Sequence, residues 1–381
     1  MANDSLRLAI VGLGPWGQNL LRAFAAADRV RIVALCDQNP ACLLGLPPIP
    51  EPSGEPPLRT SSLDEVLRLP QVDALAVAVT PWSHAAISLQ GLAHGRHVFV
   101  EKPMALTVSD AAEVARSAER AGRVLMVGHI MLHHPAVDEI RSIIRVGALG
   151  RLRTIHAQRL GASGKHGHAW WSLAPHDLSL ALALSNQVPT RIALRSVGPG
   201  DRVRGELDFA GDIRAHVLVS TDAKARVRRL ELVGTAGRAV FDDSDPPMQL
   251  SFRSHCALGH GANRQMRQPS APECDQSVKA VLDRSPLQNS SASRRVLEPL
   301  ALEVDQFVKA VLDRVPFQSN AEFGLTVTRL LAAGERSLQR GGAPVEVGLA
   351  GMGRRGGPAT PGKAGGRTQV PGGFRLASGK H

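Results

Sequence analysis

The chain has 381 residues, 43 % of them apolar and 21 % charged, and a formal net charge of +11. That length exceeds what one hydrophobic core fills and predicts two, and the composition excludes a wholly disordered or membrane-embedded protein. No apolar run approaches the ~18 residues that span a bilayer. The first one, Leu6 to Val11, enters a glycine-rich turn rather than a cleavage site, so the chain reads as cytoplasmic.

From Leu6 to Val127, short aliphatic runs alternate with amphipathic stretches, the pattern of βαβ units and a parallel sheet. The expected strands are Leu6 to Val11, Val30 to Leu35, Ala74 to Val79, His97 to Val100 and Val124 to Val127. A capping box of Ser62 and Glu65 opens one helix, and another runs from near Ser109 to before Gly122. Seven prolines between Pro40 and Pro57 predict an extended loop in the second crossover.

A helix from about Pro135 to Val146 leads into consecutive strands, Leu152 to Arg159, Arg191 to Val197, Glu206 to Phe209, Ile213 to Ser220, Val227 to Val233 and Ala239 to Asp242. Strands without intervening helices predict a mostly antiparallel sheet. Further on, Glu273 to Ser290 repeats as Glu303 to Asn320, a local duplication that marks an insert at about 255–297. Phe307, Val311 and Val315 make the downstream copy the better amphipathic helix. Residues 350–381 are rich in Gly, Pro and basic side chains, which predicts a disordered tail. The alternative of a nucleic-acid arm is weakly provided for, since Phe374 is its only aromatic.

Gly12, Gly14 and Gly17 stand at G-x-G-x-x-G spacing between a predicted strand and a predicted helix. Gly12 permits the tight turn, Gly14 the approach of backbone amides to a pyrophosphate, and Gly17 close helix packing. Asp37, at the end of the second strand, can accept hydrogen bonds from ribose hydroxyls and would repel a 2′-phosphate, which favours NAD over NADP.

Thr80, Pro81 and Trp82 follow the third of these strands, where an open parallel sheet places its ligand crevice. They either line the nicotinamide ribose or form a strand stop at Pro81 with a helix cap at Ser83. Glu101-Lys102-Pro103 ends the next strand. Lys102 is either a partly desolvated lysine that exchanges a proton with a substrate hydroxyl, or a surface lysine paired with Glu101.

The chain contains no tyrosine. Short-chain dehydrogenases and aldo-keto reductases, which resemble it in cofactor use, rely on a tyrosine hydroxyl, so acid-base work here falls to Lys, His, Asp or Glu. Cys36, Cys42, Cys256 and Cys274 lack zinc-site spacing and read as reduced thiols, with no metal site.

Gly12-x-Gly14-x-x-Gly17, Asp37, Thr80-Pro81, Glu101-Lys102-Pro103, Gly128-His129, His133-His134-Pro135 and Ala174-Pro175-His176-Asp177 occur in the order seen in the Gfo/Idh/MocA oxidoreductases, which this chain resembles over about 6–252 and 298–347. The resemblance implies an α/β protein with an N-terminal Rossmann domain, residues 1–128, and a C-terminal α+β domain with a large, mostly antiparallel open sheet, residues 129–349. It further implies NAD as cofactor, Lys102 and His176 as the catalytic pair, and a homo-oligomer, dimer or tetramer. Ser172 replaces the aspartate that many members carry four residues before the histidine. The run Trp171 to Asp177 looks most like the branch that oxidises C3 of UDP-N-acetylglucosaminuronic acid.

Asp177 either orients His176 or caps a helix, and His133 and His134 read as capping or packing residues before Pro135. Lys165 and His168 are available for a substrate carboxylate or diphosphate. Together these readings assign the cofactor to Gly12, Gly14, Pro15, Trp16, Gly17, Asp37, Thr80, Pro81, Trp82, His84, Glu101 and Lys102. They assign a sugar or nucleotide-sugar substrate to Lys102, Lys165, His168, Ser172, His176 and Asp177. The competing class is an NAD-binding regulatory or scaffold protein without catalysis.

Overall fold

The computed structural model of the chain describes residues 5–46, 49, 56–161, 168–198, 200–244, 249–255 and 298–348. Six parallel strands form the first sheet: β1 (Leu6–Val11), β2 (Val30–Cys36), β3 (Leu58–Thr60), β4 (Ala74–Val77), β5 (His97–Glu101) and β6 (Leu125–Gly128). Their spatial order is β3-β2-β1-β4-β5-β6. The order reverses between β1 and β4, which opens a crevice at the carboxyl ends of those strands.

The central strands are buried on nearly every residue, as a sheet covered on both faces requires. Helices α1 (Pro15–Ala25), α2 (Leu63–Arg68), α3 (Pro81–Ala93) and α4 (Val108–Ala121) make the crossovers. Their starts and stops follow local chemistry. The Thr107 hydroxyl accepts from the Asp110 amide at 3.1 Å, and Gly122 ends α4 in the left-handed conformation. α1 has no side-chain cap and begins with Pro15 at its first turn, so its leading amides are unclaimed by a capping side chain.

After α5 (Pro135–Arg145), the strands β7 (Leu152–Leu160), β8 (Arg191–Ser196), β9 (Arg202–Asp208), β10 (Arg214–Ser220), β11 (Val227–Gly234), β12 (Gly237–Asp242), β13 (Gln249–Ser254) and β14 (Val345–Glu346) form an eight-stranded sheet. All of its pairings are antiparallel except that of β7 with β10. Alternate residues face inwards: Val203, Gly205 and Leu207 are buried on β9, and Ala215, Val217 and Val219 on β10. The covering helices are α6 (Ala169–Ser185) and the long helix near the end of the described chain, Ala321–Gln339.

Trp170 holds these layers together. It is 1 % exposed and donates its indole proton to the Leu331 carbonyl at 2.9 Å. A methyl group at Gly334 would meet its ring at 2.7 Å and one at Gly205 at 3.1 Å, so both glycines make room for the indole.

The helix Pro299–Leu312, here α7, packs on α1 and on the 3-10 turn Ile130–His133, although it lies in the stretch that sequence assigns to the second domain. It contributes Phe307 to an edge-to-face trio with Phe24 and Phe99, at centroid distances of 5.7 to 6.1 Å. Ala321–Gln339 is therefore α8, and it packs on both α4 and β8.

Several expectations change. Pro40–Leu43 is a single 3-10 turn rather than extended loop, because the Asn39 side chain accepts from the Ala41 amide at 3.1 Å. β3 then adds an edge strand that the proline density concealed. Ser62 caps α2 as predicted, but the Glu65 carboxylate takes the Thr60 hydroxyl at 2.5 Å and does not return to Ser62. α4 starts at Val108 because the Thr107 cap precedes Ser109. β9 begins at Arg202, four residues earlier than predicted, and α6, β13 and β14 were not anticipated. The first copy of the duplication and the basic tail lie outside the described residues. Among the described residues no helix is long and apolar enough to cross a membrane.

Candidate active site

The glycine turn between β1 and α1 is shaped by contacts that only glycine allows. Gly12 has φ +92°, and a methyl group there would stand 2.6 Å from the Ala78 carbonyl oxygen. At Gly17 it would stand 1.9 Å from the Gly12 carbonyl oxygen, which locks the turn against α1. A methyl group at Gly14 would meet nothing within 4 Å, so the turn is open on that side at the helix N-terminus. Asp37 braces the same turn: Oδ2 accepts from the Leu13 amide at 2.6 Å and Oδ1 from the Asn39 amide at 2.8 Å. Each oxygen keeps acceptor capacity for a ribose hydroxyl. An uncapped helix N-terminus, open space at Gly14 and a carboxylate at the end of β2 fit a dinucleotide with an unphosphorylated ribose.

Glu101 ends β5 and is 7 % exposed. It accepts from the Trp16 indole at 2.5 Å and from the Lys102 amide at 3.3 Å. Gly128 lies opposite it in register, and a methyl group there would be 2.9 Å from Glu101 Oε1. Burial pushes the Glu101 carboxyl up, opposed by the Lys102 charge and the Trp16 hydrogen bond.

Lys102 is partly buried, and its Nζ donates to the Ser172 carbonyl at 3.1 Å. That carbonyl belongs to the first turns of α6, a helix that carries Pro175 within it. Desolvation lowers the Lys102 ammonium, Glu101 opposes this and Arg159 reinforces it. Lys102 is thus neither a free surface lysine nor simply a partner of Glu101.

His176 faces the same cleft from α6, and its Nδ1 has no hydrogen-bond partner. Burial, then the Lys102 and Arg159 cations, hold its imidazole well below the usual histidine range. The His176 imidazole is thereby kept neutral, with a nitrogen available to accept from a hydroxyl, and Lys102 holds its proton less tightly than an exposed lysine. The cleft encloses about 590 Å³, and its walls include Trp16, Trp82, Lys102, Trp171, Ser172 and His176.

Other expected site residues behave differently. Thr80 stands at the N-cap position of α3 and Pro81 in its first turn, so Ser83 lies inside the helix and does not cap it. Pro81 and Trp82 line the cleft, Trp82 at 70 % exposure. His84 is buried with Nδ1 2.7 Å from the Pro103 carbonyl and Nε2 3.0 Å from the Val79 carbonyl, so both ring nitrogens are engaged by backbone. It shapes the cleft wall and presents no free nitrogen to a ligand.

His168 caps α6, with Nδ1 accepting from the Trp170 amide at 3.3 Å and Nε2 3.7 Å from Asp201. The Ser172 hydroxyl turns back to the His168 carbonyl at 3.2 Å, so its backbone carbonyl, and not its side chain, reaches Lys102. His134 caps α5 as expected and packs on Phe241. Lys165 lies outside the described residues.

Asp177 neither orients His176 nor caps a helix. It sits in the interior of α6 at 3 % exposure and accepts from Arg159 Nε and Nη2 at 3.1 and 2.9 Å. Arg159 was missed, although a signal existed. It occupies the inward phase set by Ile155 and Ala157 on β7, where a cation needs a partner.

A glycine-turn nucleotide cradle and a lysine-histidine cleft between a parallel and a largely antiparallel sheet define a two-domain, dinucleotide-binding α/β protein. Residues 6–129 match the profile of the oxidoreductase family with an NAD-binding Rossmann fold, and residues 137–240 that of the GFO/IDH/MocA C-terminal domain, together more than half of the chain. The chain belongs to the Gfo/Idh/MocA family of NAD-binding oxidoreductases.

Among curated relatives, it is 26 % identical over 215 residues to 2,7-anhydro-N-acetylneuraminate hydratase of Escherichia coli K12, which covers 51 % of this chain and 55 % of that protein. The chain thus spans about half the length of that relative. A putative oxidoreductase of Magnetospirillum magnetotacticum shares 26 % identity at a TM-score of 0.67, covering 86 % of this chain and 99 % of that one. The WlbA dehydrogenase of Bordetella pertussis, solved with NADH and UDP-GlcNAcA, superposes at a TM-score of 0.73 with 17 % identity, covering 92 % and 99 %. At that identity the likeness concerns the fold.

Proposed function

We propose that this protein oxidises a secondary alcohol of a sugar or nucleotide-sugar with NAD. The observation that carries the reading is the convergence of Lys102 Nζ and the unpartnered His176 imidazole on one cleft that also contains Trp16 of the nucleotide turn. NAD, when bound, supplies the acceptor for the hydrogen and electron pair of the carbinol C–H bond.

The residues do the rest. Gly12, Gly14 and Gly17 would seat the pyrophosphate and Asp37 a ribose, while Trp16 and Glu101 line the cleft. His176 takes the hydroxyl proton as base, while Lys102, anchored on the Ser172 carbonyl, steadies the developing alkoxide. UDP-N-acetylglucosaminuronic acid, oxidised at C3, is the specific substrate that the Trp171 to Asp177 run favours. Assembly into a dimer or tetramer through the uncovered face of the eight-stranded sheet belongs to the same reading.

The test mixes the full chain with NAD and a panel containing UDP-N-acetylglucosaminuronic acid, UDP-N-acetylglucosamine and myo-inositol, and follows NADH formation and thermal stabilisation. One member should reduce NAD and raise the melting temperature. Stabilisation by NAD alone, with no turnover across the panel, rejects the sugar dehydrogenase and leaves the regulatory reading.

A further inference from the structure

Buried polar atoms nearly always have hydrogen-bond partners, and a cluster that lacks them marks enclosed water or a functional demand. Among the described residues, twelve buried side-chain nitrogen or oxygen atoms are unpartnered, and eight of these belong to His129, His133, His176, Glu303, Gln306 and Ser319. They are not scattered. His129 follows Gly128, which pairs with Glu101 in the sheet, and His133 ends the 3-10 turn that begins one residue later. α7 packs on that turn and brings in Glu303, whose carboxylate is 0 % exposed with both oxygens unpartnered.

The group has two ends. At the inner end are Lys102 and His176 in the cleft. At the outer end His133 lines a separate pocket of about 290 Å³ together with Gln306, Gln318 and Ser319, and none of this pocket's residues lines the cleft. His133 Nε2 is 3.9 Å from Glu303 Oε1, beyond a direct hydrogen bond, so the two are within reach of a shared water or a small side-chain movement. His129, 1 % exposed, has neither ring nitrogen engaged, and its ring packs edge-on to Phe323.

The protonation states suit transfer. Burial, with the Glu101 charge, holds the Glu303 carboxyl well above the ordinary range, which favours its protonated form. Burial and the Lys102 charge push His129 down to about 3, and burial with Arg141, against Asp138, pushes His133 down to about 4. A neutral carboxylic acid and two neutral imidazoles each both donate and accept a proton, with no net charge left in the interior.

We propose that His129, Glu303 and His133, joined by enclosed water, carry protons between Lys102 and the pocket lined by His133. The inference rests on the dehydrogenase reading for its purpose. In that reaction the alcohol O–H bond breaks and its proton goes to His176, Lys102 releases a proton into the route and is reprotonated from His176, the C=O bond forms, and the C–H hydrogen with its electron pair would go to oxidised NAD, the oxidant. One proton per turnover is left in a cleft closed by cofactor and substrate. The route delivers it to bulk water without opening the cleft.

The deciding experiment uses the full chain and infrared spectroscopy, which needs no substrate. A carboxylic-acid C=O stretch at pH 7, absent in Glu303→Gln, identifies the protonated side chain. Its shift on transfer to D2O should be fast in the wild type and slowed about tenfold in both His133→Asn and His133→Gln, less than the ~10²–10⁴ expected for loss of an acid-base catalyst itself. With an active substrate, Glu303→Gln should lower kcat and leave KM unchanged. Absence of the acid band, or exchange indifferent to both His133 variants, overturns the proton route even if turnover is normal. If the band and its exchange behave as stated while no polyol is oxidised, the route stands and the dehydrogenase reading falls.

Discussion

Arg159 on β7 and Asp177 on α6 form a buried, two-pronged ion pair, with Nε to Oδ2 at 3.1 Å and Nη2 to Oδ1 at 2.9 Å. The pair ties the helix that carries His176 to the central strand of the second sheet. Removing one partner leaves an unpaired buried charge, which costs about 3–5 kcal/mol. Asp177→Ala should lose that much in urea unfolding. The uncovered Arg159 cation should also move the activity profile to lower pH by depressing Lys102 and His176 further. A variant with wild-type stability would show that the pair holds nothing.

Lys102→Ala and His176→Ala should each reduce kcat by about 10²–10⁴, the range of positioned acid-base catalysis, with NAD affinity retained. Ser172→Ala should have a small effect, because the contact to Lys102 is made by the backbone carbonyl. A large loss of turnover in Ser172→Ala would instead assign the hydroxyl a role.

Gly17→Ala places a methyl group 1.9 Å from the Gly12 carbonyl oxygen, a clash with backbone that no side-chain rotation relieves. The expected outcome is a loss of about 1–3 kcal/mol in stability, from overpacking, and a failure to bind NAD by calorimetry. Asp37→Ser leaves the fold intact, weakens NAD by the ~1.5–3 kcal/mol of charge-assisted hydrogen bonds and narrows the preference over NADP. Unchanged discrimination would remove Asp37 from the ribose site.

Stability should fall on acidification before carboxylates titrate. The folded-state pKa values of His97, His129 and His133, at about 4, 3 and 4, lie below the ordinary 6.5. The folded state therefore binds fewer protons, and the stability present above pH 6.5 is lost as pH drops through these values, by up to ~1.4 kcal/mol per pH unit for each histidine. Glu303 has the opposite sign. Its raised pKa gives a contribution that is full below the ordinary 4.5 and lost as pH rises, so Glu303→Gln should stabilise at pH 7 and be neutral near pH 4. Urea midpoints of the wild type and Glu303→Gln at pH 7, 6, 5 and 4 decide both, and a flat wild-type profile would contradict the histidine assignment.

Much of the first sheet was legible because its signals are local. The strands at Leu6, Val30, Ala74 and His97 carry short, mostly aliphatic runs, and Gly12 and Gly17 are set by contacts with the turn itself and the adjoining strand. The same holds for Asp37, which reaches the turn from the next strand. β3 stayed hidden beside its prolines, since a three-residue edge strand is made by its neighbour's hydrogen bonds and not by its own pattern.

The chain by itself determined the nucleotide cradle, the ordered motifs and the chemical types available for proton transfer, because backbone geometry, periodicity and side-chain chemistry are properties of short segments. Only the tertiary structure decided what those side chains do. Asp177 is claimed by Arg159 from a distant strand, His84 is clamped between two backbone carbonyls, and the Ser172 carbonyl rather than its hydroxyl meets Lys102. Glu303 reads in sequence as one residue of a duplicated helix, and it becomes a buried acid only where α7 packs beside His133 and the sheet excludes water. Burial and long-range pairing set protonation and partnership, and neither is written in local sequence.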